Sequence, residues 1–241
     1  MRFIITHNEP LNETVFHMRL TGDTRAIVRP GQFVQLAVPG RFLRRPISVC
    51  DWEAGERGTL DLIYKVVGGG TRDMSAMRPG EAADVLPGLG NGYDPACGER
   101  PALVGGGVGA PPLYGLAKRM LAAGKAPRVY LGFNTAGEAF WLDRFHALGA
   151  EVVVSTADGS LGVKGLVTDA LRGQAHDFLY VCGPKPMLRA VHALGIPGQY
   201  SFEERMACGF GACMGCSIQT ACGPRRVCKD GPVFKGEEIV W

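Results

Sequence analysis

The sequence predicts an α+β protein built from three successive parts. An N-terminal antiparallel β-barrel is expected over residues 1–98, an α/β nucleotide-binding domain with a parallel sheet over residues 99–198, and a small cysteine-rich domain over residues 199–241. Three observations predict this order. Short strands separated by turn residues come first, strands alternating with helices follow, and five of the eight cysteines fall between residues 208 and 228.

Composition and charge narrow the functions open to this chain. Its 241 residues are 46% hydrophobic and 20% charged, which is typical of a globular protein. A net charge of +3 is too small to indicate nucleic acid or an anionic membrane as a partner. The N-terminus turns polar too early for a signal peptide, and no apolar run approaches the roughly 18–20 residues of a membrane helix. We therefore expect a cytoplasmic protein without nucleic-acid or membrane partners.

The first part is predicted to be almost entirely β. Alternating runs are separated by Gly, Pro, Asn and Asp, at a spacing typical of a small barrel or sandwich. One helical turn is expected over residues 73–78. The runs that carry this prediction are VFHMRL, FVQLAV, PISVCDW and TLDLIYKVV.

Two segments of the first part have the chemistry to hold a phosphate. The stretch Arg45-Pro46-Ile47-Ser48 combines a guanidinium fork with a hydroxyl donor. Residues 68–72 read GGGTR and are predicted to form a glycine loop whose N–H groups face an anion. Taken alone, both patterns are also compatible with a surface arginine and a flexible turn.

The second part carries a glycine-rich turn between a strand and a helix. Gly105 and Gly107 begin a G-x-G-x-x-A pattern that places a pyrophosphate at a helix N-terminus, although a tight turn alone gives the same pattern. The next strand ends LGFN without an acidic residue, so the usual ribose contact is missing. Helices are predicted over PLYGLAKRMLAAG, EAFWLDRFHALG, GLVTDALRG and PMLRAVHALG, alternating with strands RVYLGF, EVVVST and DFLYVCGP.

Cys182 ends the last predicted strand of this part, at the sheet edge where open α/β sheets bind ligands. A buried strand thiol is the competing interpretation. Cys50 and Cys97 are assigned no chemistry, since the first is expected in the core and the second in a loop.

The cysteine cluster of the third part is the most specific signal. Cys208, Cys213 and Cys216 have the spacing C-x4-C-x2-C, which with one distant cysteine is the plant-type [2Fe–2S] pattern. Thiolates are soft donors that suit iron, and the intervening glycines allow N–H groups to face the sulfurs. A zinc site is the alternative, but zinc usually pairs two C-x2-C-like knuckles. On spacing alone, Cys222 and Cys228 are both candidates for the fourth ligand.

The order of these motifs, RPIS, GGGT, GGGVGAPPL, VCGPKPML and then the cysteines, resembles the ferredoxin-reductase superfamily. The tail EERMACGFGACMGC, followed by VCKDGPVF, is similar to the electron transfer subunits of class 1B dihydroorotate dehydrogenases. The resemblance implies an FAD-binding barrel, an NAD-binding domain and a [2Fe–2S] domain. It also implies Cys228 as the last ligand and Cys222 as a bystander. The implied FAD contacts are Arg45, Pro46, Ile47, Ser48, Ile63, Tyr64, Lys65, Gly70 and Thr71.

The resemblance implies a partner as well. It is an FMN-bearing catalytic subunit, assembled with this chain as a heterotetramer of two of each. Electrons from dihydroorotate would pass through FMN, the cluster and FAD to NAD+, in pyrimidine biosynthesis. Such a relay needs no acid–base residues. Glu138 would repel a 2′-phosphate, which favours NADH over NADPH.

Two other functions stay open from the sequence. The same cofactors would serve a reductase subunit of a hydrogenase- or glutamate-synthase-like complex. A non-enzymatic zinc-binding adaptor on an α/β scaffold is the alternative of a different class.

Overall fold

A closed barrel forms the first part of the chain in the computed structural model, which describes residues 1–241. Its strands are β1 (Arg2–Pro10), β2 (Val15–Gly22), β3 (Phe33–Leu36), β4 (Arg45–Trp52), β5 (Gly58–Lys65) and β6 (Ala82–Leu89). They close in the order β1-β2-β5-β4-β3-β6, with every neighbouring pair antiparallel. Alternation along each strand turns one face inward, and 17 buried residues form the barrel core. The predicted antiparallel barrel is confirmed.

The one helix of the barrel differs from its prediction. Helix α1 (Gly69–Ala76) begins before the expected residues 73–78, so the glycines predicted as a loop form its first turn. Thr71 fixes this early start. Its Oγ1 accepts hydrogen bonds from the N–H of Val67 at 2.9 Å and of Gly68 at 3.2 Å, and this satisfies donors that would be orphaned at the helix N-terminus.

A seven-stranded sheet forms the second layer of the protein, in the order β10-β9-β8-β7-β11-β12-β15. Its strands are β7 (Pro101–Gly106), β8 (Arg128–Phe133), β9 (Glu151–Thr156), β10 (Val163–Lys164), β11 (Phe178–Cys182), β12 (Gly198–Ser201) and β15 (Val233–Lys235). All neighbours are parallel except β15, which runs antiparallel to β12. The chain leaves β7 toward β8 on one side and returns to β11 on the other. The topological switch point therefore lies between β7 and β11.

Four helices accompany this sheet, namely α2 (Ala110–Ala122), α3 (Leu142–Ala147), α4 (Val167–Leu171) and α5 (Lys185–His192). Gly124 and Gly149 follow α2 and α3 with φ of +79° and +83°, as helix-ending glycines do. The helix predicted over EAFWLDRFHALG is wrong in its first four residues. Ala139 is extended and Trp141 is left-handed, with φ of 57°, so α3 begins only at Leu142. None of the helices is long and apolar enough to span a membrane.

The barrel packs against the sheet through α2. A Cβ at Gly115 would lie 2.4 Å from the carbonyl oxygen of Cys50, so only glycine allows the helix to approach β4 this closely. The Asp51 carboxylate accepts hydrogen bonds from Lys118 at 2.5 Å and Arg119 at 3.3 Å. The Arg119 guanidinium lies 3.3 Å from the ring centroid of Trp52.

The cysteine-rich tail is built onto both other parts. It contains a hairpin of β13 (Ser217–Thr220) and β14 (Gly223–Arg226), and then β15 returns to the sheet. Cys216, Val227 and Cys228 share a hydrophobic core with Phe33 of the barrel and Leu179 of the sheet. The boundary predicted between residues 198 and 199 falls within β12 and stays a prediction. The short tail therefore has no hydrophobic core of its own, and its buried residues pack against the barrel and the sheet.

Candidate cofactor sites

The glycine turn brings the start of α2 against the end of β11. Gly107 has φ of +53°, and a Cβ at Gly109 would lie 2.2 Å from the Cys182 carbonyl oxygen. A Cβ at Gly105 would meet the Cα of Ala110 at 3.1 Å. Pro111 and Pro112, in the first turn of α2, lack backbone N–H groups. An anion at this turn is consequently offered fewer backbone donors than at an ordinary helix N-terminus.

A cavity of about 570 Å3 lies at the carboxyl ends of β7, β8 and β11, where the topology predicts a ligand site. Ser48 and Lys65 close it on the barrel side. The sheet side is lined by residues of the glycine turn and the strand ends, including Gly106, Gly107, Gly109, Asn134, Glu138, Thr168, Cys182 and Glu203.

Cys182 lines this cavity with a thiol rather than a thiolate. Burial raises the pKa of Cys182 to about 12. The side chain is therefore protonated at neutral pH and is unsuited to nucleophilic attack. It can pack against a ligand instead.

Glu138 supplies the acidic group that was expected to be missing at the end of β8. Its carboxylate accepts hydrogen bonds from the backbone N–H of Asn134 at 3.2 Å and from Asn134 Nδ2 at 2.8 Å. A 3-10 turn over Ala136–Glu138 folds it back toward the strand. The strand pattern alone did not indicate this placement, because Glu138 lies five positions beyond the end of β8, whereas the family resemblance had already singled the residue out. An Asn and a Glu at i and i+4 were the available signal.

Arg45 and Gly70 lie in contact on the barrel surface. A Cβ at Gly70 would come within 2.0–2.3 Å of the Arg45 guanidinium atoms. The same guanidinium donates a hydrogen bond to the Leu43 carbonyl. The two predicted phosphate segments therefore meet, the first from β4 and the second from α1.

The side chains of the remaining predicted flavin residues differ in how deeply they are buried. Tyr64 is buried in the barrel, where its hydroxyl donates to Asn8 Oδ1 at 2.9 Å and burial raises its pKa. Ile63 is buried in the core between barrel and sheet. Only the backbone of these two residues can reach a cofactor, whereas the exposed Lys65 faces the larger cavity. Ile47 is half-buried against the barrel core.

A second cavity of about 380 Å3 separates the barrel from the start of the tail. Pro46 and Ser48 line it from β4, and Lys185 forms an ion pair with Glu204 across its far side. The two cavities share Ser48, Phe202 and Glu203. The RPIS segment consequently borders both the glycine turn and the approach to the cysteines.

The cysteine loop directs backbone N–H groups at sulfur. Cys208 Sγ accepts from the N–H of Ala212 at 3.3 Å, and Cys216 Sγ accepts from the N–H of Cys228 at 3.4 Å. Burial alone would raise the pKa of Cys208, but hydrogen bonds from the backbone of Cys213 and Phe210 outweigh it and lower the pKa to about 6. Burial, together with the neighbouring Cys216 sulfur, raises the pKa of Cys228 to about 12.

These thiols fit an iron–sulfur cluster by donor type and surroundings. Gly209 and Gly211 have φ of +77° and +94°, so the loop turns tightly beside its sulfurs. No three His, Cys, Asp or Glu side chains are arranged around a single metal position. Cys216 and Cys228 are buried, whereas Cys222 is exposed beyond β13. The N–H donors and the thiolate-favouring position of Cys208 suit an anionic cluster.

A closed antiparallel barrel docked on a parallel α/β sheet, with a cavity between them, is the architecture of the ferredoxin-reductase class of flavoproteins. One solved structure, of the NADH-dependent reduced ferredoxin-NADP oxidoreductase described for flavin-based electron bifurcation, matches with a TM-score of 0.87 and 31% identity, over 99% of this chain and 90% of that one. Phthalate dioxygenase reductase shares the fold, with a TM-score of 0.67 and 21% identity, over 80% of this chain and 63% of that one.

Sequence comparison specifies the family. The family described as the iron-sulfur cluster binding domain of dihydroorotate dehydrogenase B matches residues 203–240. The electron transfer subunit of dihydroorotate dehydrogenase B (NAD(+)) from Geobacillus sp. is 41% identical over 98% of this chain and 96% of the relative. The same subunit from Bacillus pumilus is 39% identical over the same shares of the two chains. The chain belongs to the family of dihydroorotate dehydrogenase B electron transfer subunits. This supports the predicted function over the hydrogenase-like, glutamate-synthase-like and zinc-adaptor alternatives.

Proposed function

We propose that this chain relays electrons between an FMN-bearing dihydroorotate dehydrogenase catalytic subunit and NAD+, through a [2Fe–2S] cluster and FAD, in pyrimidine biosynthesis. The observation that carries the proposal is the meeting of the two cavities at Ser48, Phe202 and Glu203. Residues of the barrel that would hold a flavin therefore border the proposed nicotinamide site on one side and the approach to the cysteine loop on the other. The expected assembly is a heterotetramer of two of each subunit.

The barrel residues hold and orient the flavin. Arg45 supplies a charge-assisted contact to the diphosphate. Residue 70 must be glycine for this, because a side chain there would displace the guanidinium. Thr71 holds the first turn of α1 in place through its contacts with Val67 and Gly68. Ser48 offers a hydroxyl at the junction of the cavities, with Pro46 and Ile47 shaping the strand beside it. Ile63 and Tyr64 contribute backbone contacts to the flavin, and Lys65 contributes a positive charge.

The sheet residues hold the nicotinamide nucleotide. Gly105 and Gly107 allow the pyrophosphate to approach the start of α2. Cys182 packs against the ring as a neutral thiol, since its pKa is raised by burial to about 12. Glu138 faces the adenosine ribose at the end of β8 and disfavours a 2′-phosphate by charge repulsion.

The tail residues hold the cluster. Cys208, Cys213, Cys216 and Cys228 are the proposed ligands, and their thiolates bind iron while backbone N–H groups stabilise the sulfur charge. Phe210 and Met214 are exposed on the same loop. Apolar side chains in that position suit contact with the catalytic partner.

Flavin, cluster and nicotinamide supply the electron chemistry, in which the flavin accepts either one or two electrons and nicotinamide only a hydride pair. The protein positions these groups and excludes water between them. No acid–base residue is required for this relay, and none of the three parts of the chain is a (β/α)8 barrel.

The test is to assay the purified holoprotein with NADH plus an artificial dye, and separately with dihydroorotate plus the same dye. We expect the dye to be reduced by NADH and not by dihydroorotate. Adding the catalytic subunit should restore dihydroorotate oxidation. Turnover of dihydroorotate by this chain alone would show that the site that oxidises dihydroorotate lies in this chain and not in the partner.

A further inference from the structure

Gln35 is a buried amide without a hydrogen-bond partner. Its residue exposure is 0%, and neither Oε1 nor Nε2 is hydrogen-bonded within the protein. Leaving a buried polar group unpaired costs about 1–3 kcal/mol. Such groups are rare in folded proteins, and each calls for a physical reason.

The direction of the side chain is set by the alternation of strand β3. Val34 and Leu36 point into the barrel core. Phe33 lies on the opposite face and joins the core that contains Cys216 and Cys228. Gln35 is on the face of Phe33, because side chains two residues apart point the same way. It therefore leaves the barrel in the direction of the tail.

The amide of Gln35 lies against the cysteine loop itself. A Cβ at Gly209 would be 2.2 Å from Gln35 Nε2 and 2.8 Å from its Cδ. Gly209 directly follows Cys208 and is left-handed, with φ of +77°. On the neighbouring strand, Gln35 is paired in register with Pro46 of the proposed flavin segment. A buried polar side chain thus lies between the RPIS strand and the loop that follows the first cysteine.

We propose that Gln35 Nε2 donates a hydrogen bond to the sulfur of the cluster beside Cys208, either the thiolate or the adjoining inorganic sulfide, and so raises the cluster's reduction potential. The inference rests on the proposed function, in which Cys208 is a cluster ligand. Reduction adds one negative charge to the cluster. A donor to sulfur stabilises that added charge, which favours the reduced form. The amide keeps its own protons throughout, so it takes part in no proton transfer.

An anionic sulfur also selects which end of the amide faces it. The NH2 end can donate, while the carbonyl end would repel the sulfur. In the structure, the amide end of the Gln35 side chain faces the loop at Gly209. Since glutamine does not titrate, its effect on the potential should not change with pH, unlike that of a histidine or a carboxylic acid.

The first experiment is a redox titration of the holoprotein followed by EPR of the reduced cluster. Gln35→Met keeps the length of the side chain and removes its donor. We expect the one-electron reduction equilibrium to shift about tenfold toward the oxidised form, which corresponds to about 59 mV. Gln219→Met is the matched control, because Gln219 is exposed on β13 of the tail hairpin. The cluster in this variant should have the same reduction potential as in the wild type.

The second experiment looks for the hydrogen bond in the wild-type protein itself. Wild-type holoprotein labelled with 15N in its glutamine side chains is reduced, and pulsed EPR measures hyperfine coupling between the cluster and amide nitrogen. A coupling that disappears in Gln35→Met supports the hydrogen bond. Absence of the coupling in the wild type overturns it, as does an unchanged potential in a fully loaded Gln35→Met protein.

The two proposals fail differently. If wild-type protein holds no iron and gives no cluster EPR signal, the proposed function fails and this inference fails with it. If the cluster signal is present but the glutamine coupling and the potential shift are absent, only the role of Gln35 is overturned.

Discussion

The guanidinium of Arg45 packs against Gly70, and a Cβ at residue 70 would sit 2.0 Å from Arg45 Nε. The contact joins the first residue of β4 to the first turn of α1. It makes the position of the proposed diphosphate ligand depend on a residue that has no side chain.

Gly70→Ala is therefore expected to impair flavin retention as Arg45→Ala does. The new methyl group must push the guanidinium aside, and losing its charge-assisted contact costs on the order of 1.5–3 kcal/mol, or about tenfold or more in FAD affinity. Gly68→Ala is the control, since its Cβ meets nothing within 4 Å and its φ of −173° suits any residue. Equal flavin content of all three proteins after dilution and desalting would contradict the assigned role.

Serine substitutions should separate the cluster ligands from the bystander. Cys208→Ser, Cys213→Ser, Cys216→Ser and Cys228→Ser are each expected to abolish the cluster's visible absorption and lower bound iron. Cys222→Ser should keep both, because Cys222 is exposed in the hairpin turn whereas Cys228 is buried beside Cys216. Iron retained in Cys228→Ser but lost in Cys222→Ser would reverse the assignment of the fourth ligand.

Glu138 is expected to set the preference between coenzymes. Glu138→Gln keeps the size of the side chain and removes its charge, so the ratio of kcat/KM for NADH over NADPH should fall by about tenfold, equivalent to about 1.4 kcal/mol. Glu151→Gln is the matched control, because Glu151 begins β9 at the opposite end of the sheet. A ratio unchanged by Glu138→Gln would place the ribose elsewhere.

The sequence predicted what depends on local pattern and spacing. The barrel, the parallel sheet and the cysteine loop each have a periodicity or a motif within a few residues, and all three elements are present. The errors arose where one residue changed the backbone locally. Trp141 adopts a left-handed conformation that shortens α3, and Thr71 starts α1 at the glycines.

What the sequence could not predict is contact between distant parts. Gln35 and Gly209 are 174 positions apart (209 minus 35), and nothing in either segment indicates that they touch. The assignment of individual cofactor contacts stays a prediction for the experiments above.

A buried ion network at the barrel–sheet interface gives a prediction about pH. Asp61 accepts hydrogen bonds from Arg19 at 2.8 and 3.0 Å and lies 2.6 Å from the ring nitrogen of His17, whose ring packs edge-on against Trp141 at 5.1 Å. Burial alone would raise the pKa of Asp61, but the hydrogen bonds from His17 and Arg19 outweigh it and lower the pKa.

Because the folded-state pKa of Asp61 is depressed, its stabilisation is complete above the ordinary value of about 4 and is lost as the pH falls through the lower folded value. Asp61→Asn should therefore reduce the free energy of unfolding at pH 7 by about 1.5–3 kcal/mol. The gap to wild type should narrow below about pH 4. Denaturant unfolding checks this, with Asp23→Asn at a surface ion pair as the control that should change little. A gap independent of pH would contradict the network's role.

The antiparallel strand β15 has a consequence for how the chain can be dissected. It covers the outer edge of β12, so the last residues of the tail cap an otherwise open row of backbone donors and acceptors. Removing residues 203–241 would therefore do more than delete a cluster. It would leave β12 as an unpaired edge strand and expose aromatic side chains that are buried in the intact protein. The truncated protein should therefore self-associate rather than behave as a simple NADH-oxidising flavoprotein.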